Sequence, residues 1–144
     1  MSMEMNVFFR GVLPSREMLT QAMHDLGFPF SITPDDDPLD QQKGFMPMRM
    51  DGAETGVEFD VFEGRAMIED VVGEEIGTEG IDPSFDRSAN FRWGGDLNEM
   101  LAGLCAAAAL AKLVNGIVFD TEGDLQQPEQ AIAVARENLE SVRR

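Results

Sequence analysis

Histidine occurs once, at His24, cysteine once, at Cys105, and tyrosine not at all. One His and one Cys cannot build a tetrahedral nitrogen–sulfur zinc site, and one Cys cannot close an intramolecular disulfide. A Ser-His-Asp or Cys-His arrangement would need His24 itself in a cleft beside a nucleophile. His24 instead falls opposite the helical stripe Leu19, Ala22, Met23 and Leu26, alongside Glu17 and Gln21, and reads as a solvated surface residue. Cys105 lies in the most apolar segment of the chain. Such surroundings disfavour the thiolate, which is the reactive form, so its expected role is core packing. No catalytic residue and no metal ligand is therefore assigned from the sequence, and no cofactor is expected.

Positive charge is the next scarcity. Eleven Lys and Arg face 27 Asp and Glu, for a net charge of −16 and an isoelectric point near 4.2. A chain without a basic stripe is a poor nucleic-acid ligand, and its field repels anionic membrane. Phosphate cradles are missing too. Gly73, Gly77 and Gly80 punctuate an acidic stretch that has no lysine, which fails the P-loop pattern. Gly94-Gly95 precedes a helix, but Asp96 would occupy that helix N-terminus and repel an anion, so the pair reads as a hinge. The longest apolar run, Met100 to Ala111, has 12 residues, against the ~20 that a membrane span needs. Met1 to Arg10 carries no basic flank and no long apolar run, so no signal peptide is expected. The expectation is a soluble, bacterial-style cytoplasmic protein. Homo-oligomerisation stays open.

What is present points to one α+β domain spanning residues 1–144. The length suits a single core, and ten Phe with one Trp argue against disorder despite the charge. Alternation predicts strands over Met5–Leu13, Phe28–Ile32, Phe45–Met50, Gly56–Phe62, Phe85–Trp93 and Ile117–Asp120. Helical spacing predicts Arg16–Leu26, capped by Ser15, and Leu97–Val114, capped by Asp96 with Glu99 three residues on. A last helix opens at Pro128. Leu97–Val114 is apolar on both sides, one of them small (Ala102, Gly103, Ala106, Ala109), which predicts a buried helix approached closely by another element. The stretch 63–84 fits either a short helix or an irregular edge. Consecutive central strands imply a mainly antiparallel sheet with helices packed on one face.

The segment 91–120 contains Arg92-Trp93-Gly94-Gly95, an alanine-rich helix, Leu110-Ala111-Lys112-Leu113 and Gly116-Ile117-Val118-Phe119-Asp120. It resembles the C-terminal part of small uncharacterised bacterial α+β families, some of which are similar to immunity proteins of bacterial toxin systems. The resemblance covers about 30 residues and carries over no catalytic residue. It implies a protein that binds and neutralises a partner protein.

The remaining chemistry is that of carboxylates and arginine. Between Asp35 and Asp86 there are sixteen carboxylates and three bases. Asp35-Asp36-Asp37 with Asp40 has oxygen ligands for a hard cation, but an EF-hand register would put Leu39 at the fifth position and Met46 at the twelfth. On the strand alternation, Arg10, Arg49, Glu58, Asp60 and Arg92 point away from the main apolar face, with Phe8 and Phe62 on the same side. These seven residues are the expected binding face, with Arg as bidentate anchor and aromatics as contact area. A set of cross-strand ion pairs would give the same pattern. The function expected is that of an acidic, immunity-like protein holding a basic protein partner. The alternative is a small enzyme working through carboxylates and Arg, with or without a divalent cation.

Overall fold

Along the first strand, β1 (Met3–Phe9), all five residues from Met5 to Phe9 are buried, whichever way they point. A strand buried on both faces needs neighbours on both sides and cover above and below. The computed structural model, which describes residues 3–143, provides both. A seven-stranded sheet runs β2 (Phe30–Ile32), β3 (Phe45–Met50), β4 (Ala53–Glu63), β5 (Arg87–Trp93), β1, β6 (Ile117–Phe119), β7 (Leu125–Gln126). Every neighbouring pair is antiparallel. The fold is α+β.

Three helices share one face: α1 (Arg16–Asp25), α3 (Leu97–Val114) and α4 (Pro128–Arg143). α3 lies across the sheet centre, against β1, β4 and β5, and is flanked by α1 and α4. The main core forms there, from Val7, Phe9, Val57, Phe59 and Phe91 below and the alanines of α3 above. The caps are those the sequence predicts. Ser15 Oγ accepts from the Met18 N–H at 3.1 Å and Asp96 Oδ1 from the Glu99 N–H at 3.0 Å, while Asn115 closes α3 in the left-handed conformation. α3 is long and apolar enough to cross a membrane by length and composition, yet every residue from Leu101 to Ala111 is buried inside the fold. Its apolarity serves the core.

The expectation of helices on one face holds for these three and needs an addition. Residues 65–76 form a fourth helix, α2 (Arg65–Ile76), which covers the opposite face. Of the two readings the sequence leaves open for 63–84, the short helix is the one found; its signal is weak because only Ile68 and Val72 are buried in it and because Gly73 interrupts the helix with φ +82°. Ile68 and Val72 pack with Ile81 and Phe85 on Phe8, Ile117 and Phe119, a second, smaller core. Strand boundaries also differ: β2 and β5 begin at Phe30 and Arg87 rather than at Phe28 and Phe85, β6 ends at Phe119, and β7 is additional. β1 stops at Phe9, where Gly11 (φ +90°) turns the chain, although Leu13 remains buried. β4 is longer than its apolar run, because the turn at Asp51-Gly52 takes positive φ at both positions, the geometry that keeps hairpin strands paired up to the turn.

The small face of α3 has a specific reason. The Trp93 indole lies on Gly103: a Cβ there would come within 2.6 Å of Trp93 Cε3. Gly103→Ala gains about 1 kcal/mol of helix propensity and loses more to overpacking, which typically costs 1–3 kcal/mol. We expect net destabilisation by about 1 kcal/mol and a shifted Trp93 emission, read by chemical denaturation and fluorescence. Cys105 is fully buried within α3, so a thiol reagent should label the protein only after denaturant is added.

Candidate binding face

The second face of the sheet is a grid whose rows change character along the strands. Beneath α2 the row is Phe62, Ser88, Phe8, Ile117 on β4, β5, β1 and β6. The next is Asp60, Asn90, Asn6, Phe119. The third is Phe45, Glu58, Arg92, Glu4, running from β3 to β1. Apolar residues thus give way to amides and then to charges as the strands leave the cover of α2. Beyond the third row, Pro47 faces Gly56 and Arg49 faces Glu54.

Arg92 organises the charged row. Its Nη2 donates to Asp60 Oδ2 at 3.1 Å and lies 3.9 Å from Glu58 Oε2. Asp60 Oδ1 also accepts from the Gly44 N–H at 3.3 Å, tying the chain before β3 to the face. The Arg92 side chain is 41% exposed, so screening by water keeps the stabilisation from this pair at or below about 1 kcal/mol. The amide row is better buried. Asn90 Nδ2 donates to Asn6 Oδ1 at 3.0 Å and to Glu4 Oε2 at 3.4 Å, and Ser88 Oγ donates to Asn6 Oδ1 at 3.3 Å.

Of the seven residues expected here, Arg49, Glu58, Asp60, Phe62 and Arg92 share this face. Arg49 and Glu58 are exposed, and Phe62 is 37% exposed. Two differ from expectation. Phe8 points to this side but is fully buried: α2 covers it and its ring stacks on Phe119 at 6.0 Å. Arg10 lies past the end of β1, where its charge acts on Asp82. The sequence reading missed Phe45, the most exposed aromatic of the face at 50%. It alternates with buried Met46 and Met48, and that alternation was the available signal. Its ring lies over Gly56, where a Cβ would come within 2.5 Å of Phe45 Cζ. The glycine is what lets an aromatic lie down on an open sheet.

In the acidic loop 35–40, one carboxylate makes an ion pair that serves the fold. Asp40 Oδ1 meets Arg87 Nη2 at 2.6 Å, and Arg87 also donates to the Gly11 carbonyl and stands over the Phe9 ring. Among the described residues, no group of three His, Cys, Asp or Glu converges closely enough to hold a metal ion. No protein-family model matches the chain, and no curated protein matches it.

Two outcomes follow from this geometry. Gly56→Ala should destabilise the protein by roughly 1–3 kcal/mol, because the added methyl meets both Phe45 and the Met46 carbonyl. Gly56→Ala combined with Phe45→Ala should recover part of that loss in urea denaturation. Asp82 titrates below its ordinary value of 3.8, because the Ser84 hydroxyl and N–H bond to its carboxylate and Arg10 and Arg65 add positive charge. Its folded value is depressed, so its contribution to stability is present above the unfolded value and is lost as pH falls through the folded one. A carboxyl NMR titration should show Asp82 ionised below pH 3.8, and Ser84→Ala should move it upward.

Proposed function

We propose that this is a non-catalytic, immunity-like binding protein, acting in the cytoplasm, that holds a basic protein partner against the uncovered part of the sheet's second face. The observation that carries the reading is the third row with its surroundings. Exposed Phe45 and half-covered Phe62 stand among Glu4, Glu54, Glu58 and Asp60 on rigid strands. Aromatic area ringed by charge suits a protein interface, and strands hold it in place without the loss of entropy that ordering a loop would cost. α2, which covers the rest of the same face, carries the exposed carboxylates Glu69, Asp70, Glu74 and Glu75. They extend the negative field that would steer a basic surface to the face. The sheet edges support a face-on mode over strand addition, since β2 has three residues and β7 two, too short to template another chain.

The carboxylate–Arg enzyme remains the competing reading. In its favour are Glu58 and Asp60, two carboxylates on one face, but the same guanidinium engages both. The discriminating experiment is a pull-down from the native host at low and high salt. Wild type is compared with Glu58→Lys and with Phe45→Ser, each first checked for unchanged thermal stability. A specific partner retained by the wild type, weakened by salt and lost from both variants is the expected result. No protein partner, together with turnover of a small substrate abolished by Asp60→Asn, would replace this reading with the enzyme.

A further inference from the structure

Arg16 is at odds with its surroundings. It is 6% exposed, in a chain with 27 acidic residues, yet none of the ion pairs among the described residues includes it. A buried guanidinium without a carboxylate keeps most of its desolvation cost. Its Nε donates to the Asp37 carbonyl at 3.2 Å and its Nη2 to Gln42 Oε1 at 2.9 Å, both uncharged acceptors. Nη1 has no hydrogen-bond partner among the described residues. The side chain lines a cleft of about 670 Å³ between the start of α1 and residues 32–40. It also sits in the first turn of α1, where the backbone N–H groups favour negative charge.

We propose that this cleft binds a small zwitterion, with its carboxylate on the Arg16 guanidinium and its ammonium group toward Asp35, Asp36 and Asp37. The two charges are required together. A simple anion would satisfy Arg16 but enter among the exposed carboxylates of the rim. A simple cation would answer the rim and leave the buried guanidinium as it is. Ser15, Thr20, Gln21 and His24 each hold a hydrogen bond already, while Glu17 adds another exposed carboxylate to the rim. His24 Nε2 is 3.1 Å from Ser31 Oγ, and Thr20 Oγ1 accepts from the Ile32 N–H at 2.9 Å. Arg16 is the guanidinium that lines the cleft, and Nη1 with the second hydrogen of Nη2 can offer two oxygens an end-on pair of donors. This site is separate from the proposed binding face and does not depend on it.

The test is an amide NMR titration of the full chain with glycine, β-alanine and γ-aminobutyrate, three zwitterions of increasing reach. Acetate and methylammonium at matched ionic strength are the single-charge probes. Saturable shifts centred on Arg16, Thr20 and residues 35–40 are expected with at least one zwitterion. Each single-charge probe should bind about two- to fivefold more weakly, the range of an exposed ion pair. Asp35→Asn/Asp36→Asn changes only exposed side chains. It should weaken the zwitterion about two- to fivefold and strengthen acetate. Arg16→Lys keeps the charge and loses the fork. With the fold verified by Trp93 fluorescence, it should lose the saturable response. The proposal is overturned if no zwitterion saturates, if acetate binds as well as the best of them, or if the double variant binds that zwitterion as tightly as wild type. Each result would leave Arg16 as a strut for the 37–42 segment.

Discussion

The approach of α3 to the sheet is the constraint on which the rest of the structure depends. The helix crosses β4, β5 and β1 at once, and at Gly103 it comes so close that a Cβ would meet the Trp93 ring. Alanine and Gly103 keep it low, and Trp93 fills the space that Gly103 leaves. Once α3 is seated, α1 and α4 have a fixed groove on either side. The bulky residues are then supplied by the sheet: Phe9, Phe59, Phe91 and the methionines of β3. Large below and small above is one way to fill a two-layer core to native density.

The second face obeys a different logic. It has one short helix to cover seven strands, and α2 contributes only Ile68 and Val72 to burial. The strands answer by changing composition along their length. Phe8, Ser88 and Ile117 lie where α2 sits, Asn6 and Asn90 follow in the next row, and Glu58, Arg92 and Glu4 reach solvent. Asn6 Oδ1 accepts from both Asn90 Nδ2 and Ser88 Oγ in this half-covered zone, where unpaired polar groups would be costly. The same strands that close the core therefore also present a charged, aromatic-edged surface.

Legibility in the sequence follows the strength of each physical signal. α3 has a cap at Asp96, a left-handed stop at Asn115 and an unbroken apolar run, so both of its ends could be read. β3 alternates cleanly and was equally plain. α2 stays ambiguous with an irregular edge because a helix that buries two side chains and breaks at glycine carries a short, weak period. The face of a side chain could be read from alternation, as Glu58, Asp60 and Arg92 show, whereas its cover could not. Phe8 lies on the side expected and is still fully buried, because its exposure depends on α2, a separate segment. Arg16 was invisible for a similar reason. A first-turn arginine usually lies in solvent, and only the return of residues 37–42 encloses it.

The segment carrying α2 leaves and rejoins the sheet at a single point. Glu63 at the end of β4 is the register partner of Arg87 at the start of β5, and the Gly64 N–H bonds to the Asp86 carbonyl at 2.7 Å across the neck. β4 and β5 are already antiparallel neighbours, so a tight turn would suffice to join them. Everything between is an excursion, held shut at its base and bonded internally by Arg65 to the carbonyls of Asp82 and Phe85. Such an excursion behaves as a cassette. It adds length, charge and a covering helix at one point of the ladder, while the register of β4 on β5 runs unbroken up to the neck.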